Sequence, residues 1–448
     1  MRMLSTSFLI LILIPLLFAL EPTKSQSFYD VTLIDGTGSP PKEHRTVTIS
    51  GNRITDIKKS ETSDQADWNG TGKFLIPGLW DMHVHLAYVG DTACPALIAN
   101  GVTSVRDLGG NLNVIDWMRR RIDEKDLIGP RIYRAGPFLD GSKIGARDRL
   151  IIDTPADSIR AVAYLKEQSV DFIKVHNGPR PEPYLALLKE AKRQGIQVVG
   201  HIPVSISDPG TAIDAGHGSV EHIVSLFEGP YLQKVGAGKS KQEALAEFTD
   251  AEAKRLAQKM VKNGTWFDPT LITYWARSYQ WEIRAKKDLR EKYVSGSAKE
   301  FWRQFPDLPD EPAVRDLLKQ AFDRMVEITR IQHQEGVRFL VGTDLAAKYT
   351  YPGFNVHDEL QWLVNAGLSP MEAIQAGTRN CAESVGRLKD LGTIEENKLA
   401  DFILLDKNPL MDIGNTKSIV MVVVNGQAYS REDLDRILEK VAQQAPSR

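Results

Sequence analysis

Two hydrophobic patterns divide the chain. From Phe28 to Leu75 apolar and polar residues alternate in short runs, Val31-Thr32-Leu33-Ile34, Thr46-Val47-Thr48-Ile49 and Arg53-Ile54-Thr55-Asp56-Ile57, separated by Asp35-Gly36-Thr37-Gly38 and Gly51-Asn52. β-Branched residues bounded by Asp, Gly and Asn predict antiparallel strands joined by tight turns. The same signature returns in Ala400 to Leu405, Ile419 to Val424 and the turn Asn425-Gly426. Neither piece can bury a core alone, so the pattern predicts one small β-sandwich domain formed by both chain ends, residues 28–77 and 386–430. Residues 431–448 carry a C-terminal helix with Leu434, Ile437, Leu438 and Val441 at helical spacing.

Between these ends, short apolar strands alternate with amphipathic helical stretches. A first strand at Leu75 is followed by Thr103 to Asp107, Arg131 to Ala135, Phe172 to Val175, Gln197 to Gly200, Ser219 to His222, Trp266 to Asp268 and Arg338 to Gly342. Each precedes a helical segment, such as Pro183 to Gly195 or Asp250 to Asn263. The repeat predicts an α/β fold, a (β/α)8 TIM barrel over residues 78–385, and the 261 residues from His83 to Asp344 suit the roughly 250 of such a barrel. A long insertion, Leu271 to about Val326, follows the seventh strand and carries Trp275, Tyr279, Trp281, Trp302 and Phe305. An insertion of that length reads as a lid or functional loop, or as helices packed on their own aromatics.

The chain has 448 residues and a net charge of −2, which gives no electrostatic case for a nucleic-acid partner. Its 42% hydrophobic and 25% charged composition is that of an ordinary globular enzyme. At the N-terminus, Met1-Arg2 and the apolar stretch Phe8 to Leu20 read as a secretory signal peptide over residues 1–27, with Ser25 and Ser27 as small residues before cleavage. Thirteen apolar residues are too few for a comfortable span of roughly 20. A secreted or periplasmic protein is therefore expected, an uncleaved anchor being the alternative, with no other membrane association. Cys94 and Cys381 are read as buried thiols on helices, without the surroundings of a nucleophile.

In a barrel the active site forms where strands end and βα loops begin. Those positions hold His83 and His85 in Gly78-Leu79-Trp80-Asp81-Met82-His83-Val84-His85, then Lys174, His201, His222 and Asp344. His-x-His in a strand points both imidazoles to one face, where they can hold a divalent metal. Each residue alone has a plainer reading: Lys174 a surface ammonium, His222 a core histidine, Asp344 a helix cap. Together, in this order at one rim, they read as metal ligands. His176 and His357 are further candidates for substrate contact, each equally readable as a core residue.

The set resembles the amidohydrolase superfamily. Gly101-Val102-Thr103-Ser104-Val105-Arg106-Asp107-Leu108-Gly109-Gly110 is similar to the second-strand signature of its imidazolonepropionase-like and Xaa-Pro dipeptidase branch. Leu391-Gly392-Thr393-Ile394-Glu395 and Lys398 through Leu410 resemble the closing segment of that branch, while Asn380-Cys381-Ala382 and Glu396-Asn397 depart from it outside the metal site. The resemblance implies two divalent ions, expected as Zn2+, one held by His83, His85 and Asp344 and one by His201 and His222, with Lys174 carboxylated by CO2 between them. It further implies a bridging hydroxide as nucleophile and Asp344 as the proton carrier.

The expected enzyme is a hydrolase of a carbon–nitrogen amide bond in a dipeptide, an Xaa-Pro substrate or an N-acyl amino acid, with a homo-oligomer left open. Arg277, Arg284, Lys286 and Lys287 in the insertion would suit a substrate carboxylate. A mononuclear deaminase of the same superfamily is the first alternative, although His201-Ile202-Pro203-Val204 offers no acid beyond the fifth-strand histidine. Binuclear lactone or ester hydrolysis is the second, and a non-catalytic scaffold, which predicts lost ligands, is the third.

Overall fold

Leu79–Val84 is buried at all six positions, as a strand covered on both faces must be. It runs parallel to Val102–Asp107, which runs parallel to Arg131–Arg134. The computed structural model describes residues 25–62, 66–142, 148–235, 245, 247–305 and 307–445. A second parallel sheet has the order Arg149–Ile151, Phe138–Asp140, Phe172–Val175, Gln197–Gly200, Ser219–Glu221, Trp266–Asp268. Backbone hydrogen bonds join the two sheets at both edges. Asp171 N–H donates to the Arg134 carbonyl at 2.9 Å on one side. On the other, Phe339 bridges Phe267, and Met82 N–H donates to the Val341 carbonyl at 2.8 Å. The eighth segment thus takes its place through isolated bridges rather than as a regular strand.

The first strand of the parallel set lies one step later than the sequence predicts. Phe74–Pro77 pairs with Ser25–Leu33 and with Phe402–Leu405, so it belongs to the chain-end sheet, and the parallel set starts at Leu79. Gly78 makes the transition: a Cβ there would stand 2.2 Å from Thr103 Oγ1, so the chain crosses between sheets where only glycine fits.

Both chain ends meet in one hydrogen-bonded sheet of eight strands. The reason lies in Phe74–Pro77, which carries N-terminal strand Ser25–Leu33 on one edge and C-terminal strand Phe402–Leu405 on the other. Phe28, Val47, Leu75, Phe402 and Val423 share its core, with the Phe28 and Phe402 rings edge-on at 5.0 Å. Helix Arg431–Gln444 buries Leu434, Ile437 and Val441 against Ala93–Ala99.

The signal peptide expected over residues 1–27 lies outside the described residues except for its last three, and these already pair in the first strand, Ser25 with Ser50 and Ser27 with Thr48. No helix among the described residues is long and apolar enough to cross a membrane. Cys94 and Cys381 are buried free thiols on helices, and burial pushes the Cys94 thiol up to about 12.

Candidate metal centre and active-site cavity

The residues singled out at the strand ends converge. His83 is the penultimate residue of the buried strand Leu79–Val84, and His85 follows the strand, its ring centroid 5.2 Å from that of His83. Lys174, fully buried on Phe172–Val175, brings Nζ to 3.5 Å from His83 Nε2. His201 and His222 follow the next two strands, and the His222 ring lies 4.6 Å from both His201 and His83. Asp344 Oδ1 sits 3.4 Å from His83 Nε2 and 3.3 Å from His85 Nε2.

Part of this rim is built on unusual backbone. His222 (φ 67°), Thr270 (φ 48°) and Asp344 (φ 53°) occupy the left-handed region, at about 1–3 kcal/mol each. Such conformations turn the chain sharply at a strand end and aim the side chain inward.

Each imidazole is oriented through Nδ1. His85 Nδ1 contacts the Gly109 carbonyl at 3.1 Å, His201 Nδ1 the Asn177 Oδ1 at 2.7 Å and His222 Nδ1 the Thr270 Oγ1 at 2.7 Å. His83 Nδ1 faces Glu221 Oε2 at 3.4 Å. Burial, reinforced by the charge of Lys174, holds His83 and His201 well below the usual histidine range, and burial brings His222 down to about 4. His83, His201 and His222 are therefore neutral near pH 7.

Burial lowers the Lys174 ammonium to about 8, which makes its free amine accessible. Burial acts to raise the Asp344 carboxyl, but the hydrogen bond from His85 and the charge of His222 prevail and bring it down to about 2. Ligand atoms of His83, His85 and Asp344 lie within 4.8 Å of one another, so these three could hold a metal ion. Neutral imidazoles with one carboxylate are a donor set that a divalent ion accepts. Lys174 fits such a group only as a free amine or an anionic derivative, because an ammonium repels a cation.

The cluster opens into a cavity of about 850 Å3. Tyr88, Phe138, Phe301 and Phe305 form an aromatic wall beside His85, with Tyr88 stacked on Phe301 at 4.9 Å. The insertion after Trp266–Asp268 both lines the cavity and packs on its own aromatics. Tyr274, Phe301 and Phe305 line the cavity, while Trp281 is buried, Trp302 is buried against Tyr349 and Tyr351 beyond the insertion, and Trp275 stacks on Tyr279 at 5.6 Å. Of the four insertion cations only Arg277 lines this cavity; Arg284 pairs with Asp307 instead.

His176 also faces the cavity, its ring 4.5 Å from His201 and its Nδ1 3.1 Å from Asp140 Oδ2. His357 does not; it is buried between the Asn100 carbonyl and Thr416 Oγ1, at 3.0 and 2.9 Å. Sequence reasoning missed Glu221, Arg106 and Asp268 beneath the histidines. Arg106, a cation inside the fully buried strand Val102–Asp107, was the readable signal.

Comparison with known proteins places the chain in a family. The model of the amidohydrolase family matches residues 74–429. Ochratoxinase from Aspergillus niger is 25% identical over 462 residues, covering 88% of this chain and 83% of the relative. Among solved structures, a bottromycin amidohydrolase superposes with a TM-score of 0.77 at 23% identity, covering 94% of this chain and 90% of its own. An Xaa-Pro dipeptidase superposes with a TM-score of 0.66 at 23% identity, covering 91% and 100%. Since the family match spans most of the sequence, the chain belongs to the amidohydrolase family and is a hydrolase of carbon–nitrogen amide bonds.

Proposed function

We propose that the protein is a binuclear metallohydrolase that cleaves the amide bond of an N-acyl amino acid or dipeptide, Xaa-Pro substrates included. The observation that carries this reading is the approach of buried Lys174 Nζ to His83 Nε2 at the floor of a cavity shared with His85, His201, His222 and Asp344. Its neutral amine can combine with CO2 to a carbamate with release of one proton, and in that anionic form Lys174 would help to hold both ions. His83, His85 and Asp344 would hold one ion, His201 and His222 the other. Bound there, divalent ions, expected as Zn2+, supply hydroxide near neutral pH and polarise the scissile carbonyl. The backbone bonds linking the two parallel sheets support a closed (β/α)8 barrel as the scaffold. Phe8 to Leu20 supports export to a secreted or periplasmic location.

Asp344, a carboxylate down to very low pH, accepts a proton from the attacking water and returns it to the departing amine nitrogen. Arg277 has no acidic partner within ion-pairing distance among the described residues, and a substrate carboxylate can take that place. The aromatic wall excludes water and accepts an apolar acyl group. The names of the relatives, an ochratoxinase and an Xaa-Pro dipeptidase, support the same class.

Metal analysis of protein loaded with zinc and bicarbonate is expected to give about two ions per chain, falling to about one in Lys174→Ala. A wild-type count near one, unchanged in the variant, removes the bridging role. Arg277→Met is expected to raise KM for N-acyl amino acids about tenfold, as loss of an exposed charged hydrogen bond implies, and to leave the matching amino acid amides unaffected. Equal KM changes for both series would take the carboxylate away from Arg277. A paired assay on an N-acyl amino acid and its matched ester separates amide from ester hydrolysis.

A further inference from the structure

The interior of a parallel α/β core is ordinarily filled by branched apolar side chains. Directly below the histidines this one instead holds Arg106, 1% exposed, with Glu221 and Asp268, both fully buried. An ion pair placed there costs desolvation that an apolar pair of similar volume would not, so stability alone gives no reason for it.

Its hydrogen bonds give one. Arg106 Nη2 donates to Glu221 Oε1 at 2.6 Å, and the Ser219 hydroxyl donates to the same oxygen at 2.5 Å. Glu221 Oε2 is left facing His83 Nδ1 at 3.4 Å, with the buried Asp268 carboxyl in the same cluster. Arg106 Nε meanwhile donates to the Met82 carbonyl at 2.7 Å, the peptide that leads into His83. One guanidinium therefore grips the backbone before His83 and the carboxylate opposite its ring. Of the four histidines, only His83 faces a carboxylate through Nδ1; His85, His201 and His222 use a carbonyl, an amide and a hydroxyl.

We infer that Arg106 and Glu221 are positioning residues that fix His83 in the tautomer protonated on Nδ1, leaving the Nε2 lone pair aimed at the metal position. With Oε1 occupied by Arg106 and Ser219, Oε2 is the acceptor that faces Nδ1, and Lys174 Nζ on the opposite side of the ring can donate to Nε2. Nε2 is then the bare nitrogen, facing Lys174 Nζ and Asp344 Oδ1. The negative partner also makes Nε2 more basic. The inference rests on His83 being a ligand, as proposed above, but the tautomer exists in metal-free protein and is read there.

Long-range 1H–15N spectra of 15N-histidine-labelled, metal-free protein test it, with His83 assigned by its loss in His83→Asn. Wild type is expected to show Nδ1–H at His83. Glu221→Gln reverses the demand: its single oxygen goes to Arg106 and Ser219, and its NH2 faces Nδ1, favouring Nε2–H. Zinc affinity, measured by chelator competition, is expected to fall by about 10- to 100-fold in that variant. The double variant Arg106→Met, Glu221→Leu is expected to unfold at or above the wild-type temperature with a similar loss of zinc affinity, which separates positioning from stability. An Nε2–H signal in wild type overturns the inference without recourse to any variant, as does Glu221→Gln with an unchanged tautomer and zinc affinity within twofold. Wild type that binds no zinc but shows Nδ1–H would refute the metal reading and leave the tautomer assignment standing.

Discussion

Asp344→Asn is expected to lower kcat by roughly 10²- to 10⁴-fold, the range over which a positioned acid or base contributes. Asparagine has nearly the shape of aspartate and tolerates the left-handed φ of 53° at this position, so the rim keeps its backbone. What it loses is charge and the capacity to carry a proton. Asp344 Oδ1 stands between His83 Nε2 and His85 Nε2, and the neighbouring His85 and His222 keep its carboxyl ionised down to about 2. The wild-type carboxylate is therefore a ready acceptor at any working pH. Turnover of an N-acyl amino acid is measured at saturating zinc, with bound metal counted in the same sample, so that weaker binding is not mistaken for slower chemistry. Near-full turnover at wild-type metal content would take the proton-carrying role away from Asp344.

The geometry of this site was legible because its residues obey two simple periods. A strand ending in His-x-His, and single polar residues closing later apolar runs, are visible in one dimension, and parallel topology brings such ends to one rim. The structure gathers all six at that rim, and His176 joins their cavity. What escaped was whatever depends on pairing. Phe74-Leu75-Ile76 has the composition of a barrel strand, yet Phe402–Leu405 and Ser25–Leu33 claim both its edges, and local pattern says nothing of pairing, least of all with Phe402–Leu405 near the other end of the chain. Arg338–Gly342 reads as a strand and holds its place through scattered bonds, because the chain turns into the left-handed Asp344 immediately afterwards. Glu221 was hidden by its neighbour. Its role requires Arg106, 115 residues earlier, and no spacing rule joins them.

Strain at the rim and polarity beneath it are related. His222, Thr270 and Asp344 hold left-handed backbone only if their surroundings over-determine it. Asp81 helps to do so, accepting from the backbone N–H groups of His83 and Thr343 at 3.1 and 3.0 Å and from the Thr343 hydroxyl at 2.6 Å, which ties the first strand to the turn before Asp344. Glu359 does the same on the other side, accepting from Leu271 N–H at 3.0 Å and Ile272 N–H at 2.7 Å, just beyond the Thr270 that orients His222. Buried carboxylates thus fix the places where the backbone departs from ordinary conformation. The rigidity that a metal site needs is supplied from below, and the cavity walls above are left to the insertion.

Gly200→Ala is expected to damage stability and metal content together. Gly200 ends the strand Gln197–Gly200 with φ +123°, a region that side chains other than hydrogen rarely enter. An added Cβ would also lie 2.3 Å from the Val175 carbonyl oxygen and 2.8 Å from Lys174 Cδ. Neither obstacle can yield cheaply: the carbonyl accepts from His201 N–H at 3.1 Å, and the Lys174 stem is fully buried. The strand carrying His201 must move away from the strand carrying Lys174, which separates two proposed ligands of one ion. Backbone strain and overpacking together are expected to cost about 2–6 kcal/mol by denaturant titration, with zinc falling from about two ions per chain towards one. Gly195→Ala is the matched control. It too has positive φ, +70°, but nothing lies within 4 Å of its Cβ, so it is expected to cost only about 1–2 kcal/mol and to retain both ions. The difference between the two variants measures the close approach of the strands apart from backbone strain. Equal costs with full metal content in both would mean that the contact between Gly200 and Lys174 does not set the spacing of the site.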